Sequence, residues 1–375
     1  MICPACQELA RFQRWQVKRL LSVVGEVRLE RAYYYCRHCG HGHHPWEAVL
    51  GLTHQDLTPA ACELTSLAGL LTSFEEASCK VLPKLAGLRL SESTAERTTE
   101  SSGQRLDQLW ATGATLGEFQ AWEWSEDAQG HTCAYVSVDA TGVGQQGSKG
   151  AKADGRMAYV GMVFNARDGQ PSQARYLAGL YDLHELGNQL RRQAGQVGMN
   201  QAQQWVALTD GGAGLEEFMH CYFPRAVCIL DFWHASEHLH ELARCWHGQD
   251  ETQAKALGKQ WSHQLKHEGG VAVLAVLEAL DLRGRSRVVR EKHRQVTQYV
   301  RNNVQRMDYP YYRSQGWLIG SGHIEAACKT VVGQRLKGSG MRWSEAGADA
   351  VCCLRALFKS EPDQWNAFWH TARAA

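Results

Sequence analysis

Tyr135-Val136-Ser137-Val138-Asp139 and Trp205-Val206-Ala207-Leu208-Thr209-Asp210 are the stretches whose reading decides the fold. Each is a short apolar run closed by an aspartate, the pattern of a strand covered on both faces. Working outward, residues 158–166 and 174–180 read as two further strands, Leu183–Gln196 and residues 216–222 as helices, and Ala226–Leu230 as a strand closed by Asp231. A longer helix is expected over residues 233–246. Three strands, then helix, strand, helix, strand and helix make an α/β pattern in which the first strand lies beside the fourth.

That order is the order of an RNase H-like mixed sheet, so residues 132–249 are expected to form the first part of such a core. Residues 250–310 interrupt it with helical sequence carrying Leu265, Leu274 and Leu277, an all-helical insertion, and residues 311–375 complete the core with C-terminal helices. Asp139 and Asp210, at the carboxyl ends of neighbouring strands, can point into one crevice. Glu325, on a late helix after Gly320-Ser321-Gly322, can complete the set. Three carboxylates of this kind suit two Mg²⁺ or Mn²⁺ ions, roughly 3.5–4 Å apart, around a phosphodiester. Asp231 competes with Asp210 for the second place, but it ends the strand one further out. Taken singly, each aspartate reads equally as a turn or helix-capping residue.

Residues 1–50 form a separate block. Cys3/Cys6 and Cys36/Cys39 are two Cys-x-x-Cys pairs flanking alternating strands around residues 23–27 and 31–35, with Gly25 at the bend. This is a zinc-ribbon-like pattern with structural Zn²⁺ on four thiolates, and His38, His41, His43 and His44 are rival ligands. The other nine of the 13 cysteines lie mostly in apolar surroundings, where cysteine behaves as a small hydrophobe. Residues 51–131 read as a small helical module, a helix-turn-helix-like DNA-binding unit or a generic linking bundle. Ser93 and Glu96 form its expected capping box.

With 375 residues, 44% apolar and 21% charged, the chain has the composition of a globular protein and not of a disordered or collagen-like one. Residues 1–30 are dotted with Arg and Lys and hold no signal-peptide core, so a cytoplasmic protein without a membrane partner is expected. The net charge of +1 decides nothing about nucleic acid, so local charge must. Arg283, Arg285, Arg287, Arg290, Lys292, Arg294, Arg301 and Arg306 stand against one acid, Glu291. Lys329, Arg335, Lys337 and Arg342 follow Glu325 without an intervening acid. Both runs are expected to contact phosphates; Trp343 and Trp233 could stack on unpaired bases, although such tryptophans are more often simply core.

Five motifs carry a resemblance: Val138-Asp139-Ala140-Thr141-Gly142, Leu208-Thr209-Asp210-Gly211, Asp231-Phe232-Trp233-His234, Gly320-Ser321-Gly322-His323-Ile324-Glu325 and Lys337-Gly338-Ser339-Gly340-Met341-Arg342-Trp343-Ser344. Together with the N-terminal cysteine pairs they resemble bacterial insertion-sequence transposases of the ISKra group, distantly Mutator-like, over nearly the whole chain. The resemblance implies a DDE transposase with Asp139, Asp210 and Glu325 as its triad, and a supporting place for Asp231 and His234. The implied partners are DNA, both terminal inverted repeats and target, and a second copy of the chain in a homodimer or higher oligomer. Two other functions fit the same residues: an RNase H-like nuclease that cuts without strand transfer, and a non-catalytic zinc-ribbon DNA-binding regulator.

Overall fold

The computed structural model describes residues 1–52, 56–148, 151–167, 169–212, 214–361 and 364–369. It is a mixed α/β structure that divides into two compact units. The first comprises Met1–Gly117, Val143–Arg156 and Gly333–Ala375; the second comprises Glu118–Gly142 and Met157–Val332. Among the described residues no helix is long and apolar enough to cross a membrane.

In the first unit, β1 (Arg11–Ser22) and β2 (Gly25–Tyr35) form an antiparallel ribbon, and β3 (Gly42–His43) pairs with the end of β2. The strands are longer than the sequence reading, because residues 11–22, outside both expected strands, are themselves β1. The turn falls at Val23 and Val24, where Ser22 Oγ donates to Gly25 O and accepts from Val24 N. Helices Pro59–Leu71 and Glu92–Ala111 follow, separated by a short helical segment that passes through a π turn at Ala77–Val81. The expected cap at Ser93 is corrected: Ser91 is the N-cap, its side chain accepting from Thr94 N, and Ser93 lies inside the helix. Both residues are small hydroxyls, and the extended backbone of Ser91 selects between them.

The five-stranded sheet has the order β6-β5-β4-β7-β8, with β4 Cys133–Gln146, β5 Lys152–Arg167, β6 Gln170–Gly179, β7 Gln204–Thr209 and β8 Ala226–Leu230. β4 is parallel to β7 and β7 to β8, whereas β5 and β6 are antiparallel. The first strand of this sheet therefore lies beside the fourth. Residues 133–138 are buried without a break, as are residues 205–209, which is why these strands read as unbroken apolar runs. Val136, Val160, Phe164, Val206 and Ile229 are fully buried. Side chains of this kind contribute roughly 1.5–3 kcal/mol each.

One expectation about β4 needs correcting. Asp139 was expected at a strand tip, yet β4 continues seven residues beyond it. Pairing with β7 stops at Ser137↔Leu208, but the β5 side still offers a neighbour, so the Gly- and Gln-rich continuation stays extended. After β8 comes helix Phe232–His247, the longer helix expected over residues 233–246, and helices Glu251–Glu278 and Arg287–Asn303 fall in residues 250–310, which were expected to be helical. The late helix is short, Gly322–Ala327, and runs into a π turn at Cys328–Gly333.

Candidate carboxylate site and four-cysteine centre

Sheet register assembles the carboxylates. The last shared row across the three parallel strands is Ser137, Leu208 and Ile229. Two residues further along the chain stand Asp139, inside β4, and Asp210 and Asp231, each one residue past the end of its strand. Neighbouring strands lie ~4.8 Å apart, so the three aspartates form a row in the sense that they emerge from adjacent strands at one end of the parallel set.

Each aspartate is held differently. Asp231 is 1% exposed, and both of its oxygens are engaged. Oδ1 accepts from Trp233 N at 2.8 Å, capping the helix that begins at Phe232, and Oδ2 accepts from Ser321 Oγ at 2.6 Å. Asp139 accepts from Ala140 N at 2.6 Å through Oδ1 and from the Cys328 thiol at 3.5 Å through Oδ2. Burial first, and then the neighbouring Asp210, push the Asp139 carboxyl above the usual range, against the pull of the Ala140 amide, the Cys328 thiol and His234. Asp210 is half-buried and accepts from Gly212 N at 2.8 Å.

Glu325 reaches this row through the late segment. Phe232 N donates to Ile319 O at 2.9 Å, laying residues 319–321 beside the end of β8. Ser321, 2% exposed, then bridges Asp231 and Glu325, with its Oγ 3.3 Å from Glu325 Oε1. One helical turn beyond Glu325 comes Cys328, the partner of Asp139. Gly320 is required by close approach: a Cβ there would meet the Trp233 indole at 2.9 Å. Trp233 itself is 66% exposed.

None of these four carboxylates has an ion-pair partner among the described residues. Carboxylate oxygens are the donor type a hard divalent cation takes, but among the described residues only the four cysteines form a group of three or more ligands close enough to hold a metal. Tyr299 adds an orphaned polar group. Its buried hydroxyl has no hydrogen-bond partner, and burial together with Asp210 and Asp231 raises its pKa, against the pull of Arg306. Beneath Asp210, the buried Arg306 donates to Thr209 Oγ1 at 3.3 Å and bonds Asn303 and Glu216. Ser321, Cys328 and Tyr299 were not singled out as site residues by the sequence reading, and Arg306, expected to contact phosphate, is instead 6% exposed and bonded within the fold. Their positions depend on contacts between distant segments.

Cys3, Cys6, Cys36 and Cys39 bring their sulfurs within 4.8 Å of one another. Cys3 to Cys39 and Cys6 to Cys36 are both 3.6 Å, close to the ~3.8 Å edge of a tetrahedron with ~2.3 Å zinc–sulfur bonds. The two knuckles repeat each other bond for bond. Gln7 N donates to Cys3 O and Gly40 N to Cys36 O; Cys3 N donates to Glu8 O and Cys36 N to His41 O. Gln7 and Gly40 both take positive φ, 63° and 74°, so the tight turn is made once with glycine and once without. This cluster can hold a structural metal such as zinc. The rival histidines His38, His41, His43 and His44 are not part of it.

The expected DNA-contacting residues divide. Arg335, 3% exposed, is not a surface cation: its guanidinium lies between Phe74 and Trp343, 4.6 and 4.8 Å from the ring centroids, and donates to Gly69 O. It satisfies an end carbonyl of helix Pro59–Leu71, as Arg355 does at Leu70 O. Trp343 is 7% exposed with its indole N–H bonded to Leu336 O, so it is core and the base-stacking alternative is corrected. Lys292 is half-buried against Glu241, and Arg285 sits over Trp246. Arg283 and Arg294 pair with Asp281 and Glu291 at the surface, pairs weak enough to leave both available. Arg287, Arg290, Lys329, Lys337 and Arg342 are exposed. No family model matches the chain, and no curated protein matches it either.

Proposed function

We propose that this chain is an RNase H-like, metal-dependent DNA transposase that cleaves phosphodiesters at the ends of a mobile element and joins them to target DNA. The observation that carries the reading is the aspartate row on adjacent parallel strands, with Glu325 tied to it through Ser321. In this reading Asp139, Asp210 and Glu325 hold two Mg²⁺ or Mn²⁺ ions. The ions supply charge neutralisation at the scissile phosphate and a nucleophile at neutral pH. Asp231, both oxygens already engaged, positions Glu325 through Ser321 and anchors the helix bearing His234. His234 is near enough to Asp139 for its charge to favour the ionised carboxylate. Tyr299 offers a hydroxyl donor beside Asp210, and the exposed Trp233 offers a face for an unpaired base. The resemblance described from the sequence motifs supports strand transfer over simple hydrolysis, and self-association follows from the need to pair two ends.

The test is an in vitro reaction with element-end DNA and Mg²⁺. Asp139→Ala, Asp210→Ala and Glu325→Ala are each expected to abolish cleavage while DNA affinity stays within a few-fold. Pre-cut ends supplied with target DNA should give joined product. Cleavage without joining would leave a nuclease, and full activity in any of the three variants would remove that residue from the site.

A further inference from the structure

The exposed face of the cysteine ribbon carries a run of rings that no part of the proposed reaction uses. Phe12 and Trp15 should alternate to opposite faces of β1, but the register shifts between Phe12 and Arg14. This bulge brings both onto the face of Tyr34. Trp15 lies 5.7 Å from Phe12, Phe12 5.9 Å from Tyr34, Tyr34 6.0 Å from His43, and His43 5.9 Å from His41. Five rings thus follow one another along the ribbon. Trp15 is 65% and Phe12 46% exposed, far beyond what a core role requires.

Charge indicates what covers them. Residues 9–22 and 31–46 contain six Lys or Arg and no Asp or Glu. Lys18 and Arg31 are consumed by Glu47, but Arg11, Arg14 and Arg37 form no ion pair among the described residues. All three sit at the ring-rich end, and Arg11 and Arg14 belong to the edge strand. The same module also exposes the aliphatic Ile2, Leu9 and Val17, but cations without an acid beside them disfavour a purely apolar protein partner. Planar rings at successive ~6 Å steps, rimmed by unpaired guanidinium groups, match bases on a phosphate backbone.

We propose that the Trp15–Phe12–Tyr34–His43–His41 face is a stacking platform for single-stranded nucleic acid, held in shape by the four-cysteine centre. The surface lies on the first unit and owes nothing to the carboxylates, so it stands or falls independently of the transposase reading.

The test uses the full-length chain with zinc retained and no Mg²⁺ or Mn²⁺ added, titrated into fluorescently labelled 12-mers of dT, of rU and of mixed-sequence duplex DNA, read by anisotropy. Wild type is expected to bind the single strands more tightly than the duplex, with affinity falling as salt rises. Trp15→Ala and Phe12→Ala should each weaken single-strand binding about fivefold or more, Trp15→Phe much less. Trp15→Leu keeps apolar area and removes the π face, so it should behave like Trp15→Ala. Zinc content and circular dichroism of every variant should match wild type, since both positions are exposed. Equal affinity of Trp15→Leu and wild type, or duplex binding as tight as single-strand binding, would overturn the proposal. A preference for rU over dT, or the reverse, would identify the strand chemistry within it.

Discussion

Replacing Ser321 with alanine removes one oxygen from the most tightly packed part of the carboxylate site. That oxygen donates to Asp231 at 2.6 Å, with donor and acceptor 2% and 1% exposed. A buried hydrogen bond to a charged group contributes about 1.5–3 kcal/mol, and water cannot easily replace it here. The second unit has roughly 200 residues, which at ~2.1 cal/mol/K each gives an unfolding entropy near 0.4 kcal/mol/K. A loss of ~2–3 kcal/mol then lowers its melting temperature by about 5–7 °C. Thermal melts followed by circular dichroism measure this directly. The bond itself is isolated by a double-mutant cycle with Asp231→Asn, which should show a coupling of about 1 kcal/mol or more. A melting temperature within a degree of wild type, or strictly additive single and double variants, would refute the claim that Ser321 and Asp231 act as a unit.

Asp139→Asn is expected to raise the metal-free melting temperature at pH 7–8. The folded carboxyl is pushed above its ordinary value by burial first and then by Asp210, so its charge opposes folding above that raised value. The penalty is absent once pH falls below the unfolded value, ~3.9, so the gap between variant and wild type should close toward pH 4. A gap that widens on acidification would reverse the sign of the argument. For the cysteine centre, metal analysis should find one zinc per chain, and Cys36→Ser should lose it. Amides of β1 and β2 should then exchange with solvent far faster by hydrogen–deuterium exchange, while the five-stranded sheet stays protected.

The parts of the fold that were legible in the sequence are those set by local pattern. Unbroken apolar runs marked β4 and β7 because central strands covered on both faces admit no polar face, the apolar run of the edge strand β8 was read in the same way, and an acid closing each run marked the three aspartates. The two Cys-x-x-Cys pairs were legible because knuckle geometry is written in adjacent residues. What escaped reading was set by approach from afar. Ser321 and Cys328 meet aspartates 90 and 189 residues earlier in the chain, and nothing near them in sequence announces it. Arg335 and Trp343 sit in an acid-free run that looks like surface, yet Phe74 and the end of helix Pro59–Leu71 bury them. The bulge that gathers Phe12 and Trp15 likewise breaks the alternation by which strand faces are usually assigned.

The aspartate row has a consequence for how this site can vary. Its spacing is dictated by the ladder of main-chain bonds and not by side-chain packing, so neighbouring core residues can exchange volume while the gap between acids is preserved. Insertion or deletion is another matter. Adding one residue to β7 ahead of Asp210 would swing that carboxylate to the opposite side of the sheet and slide it out of line with both flanking acids. Evolutionary drift here should therefore tolerate substitution and forbid changes of strand length.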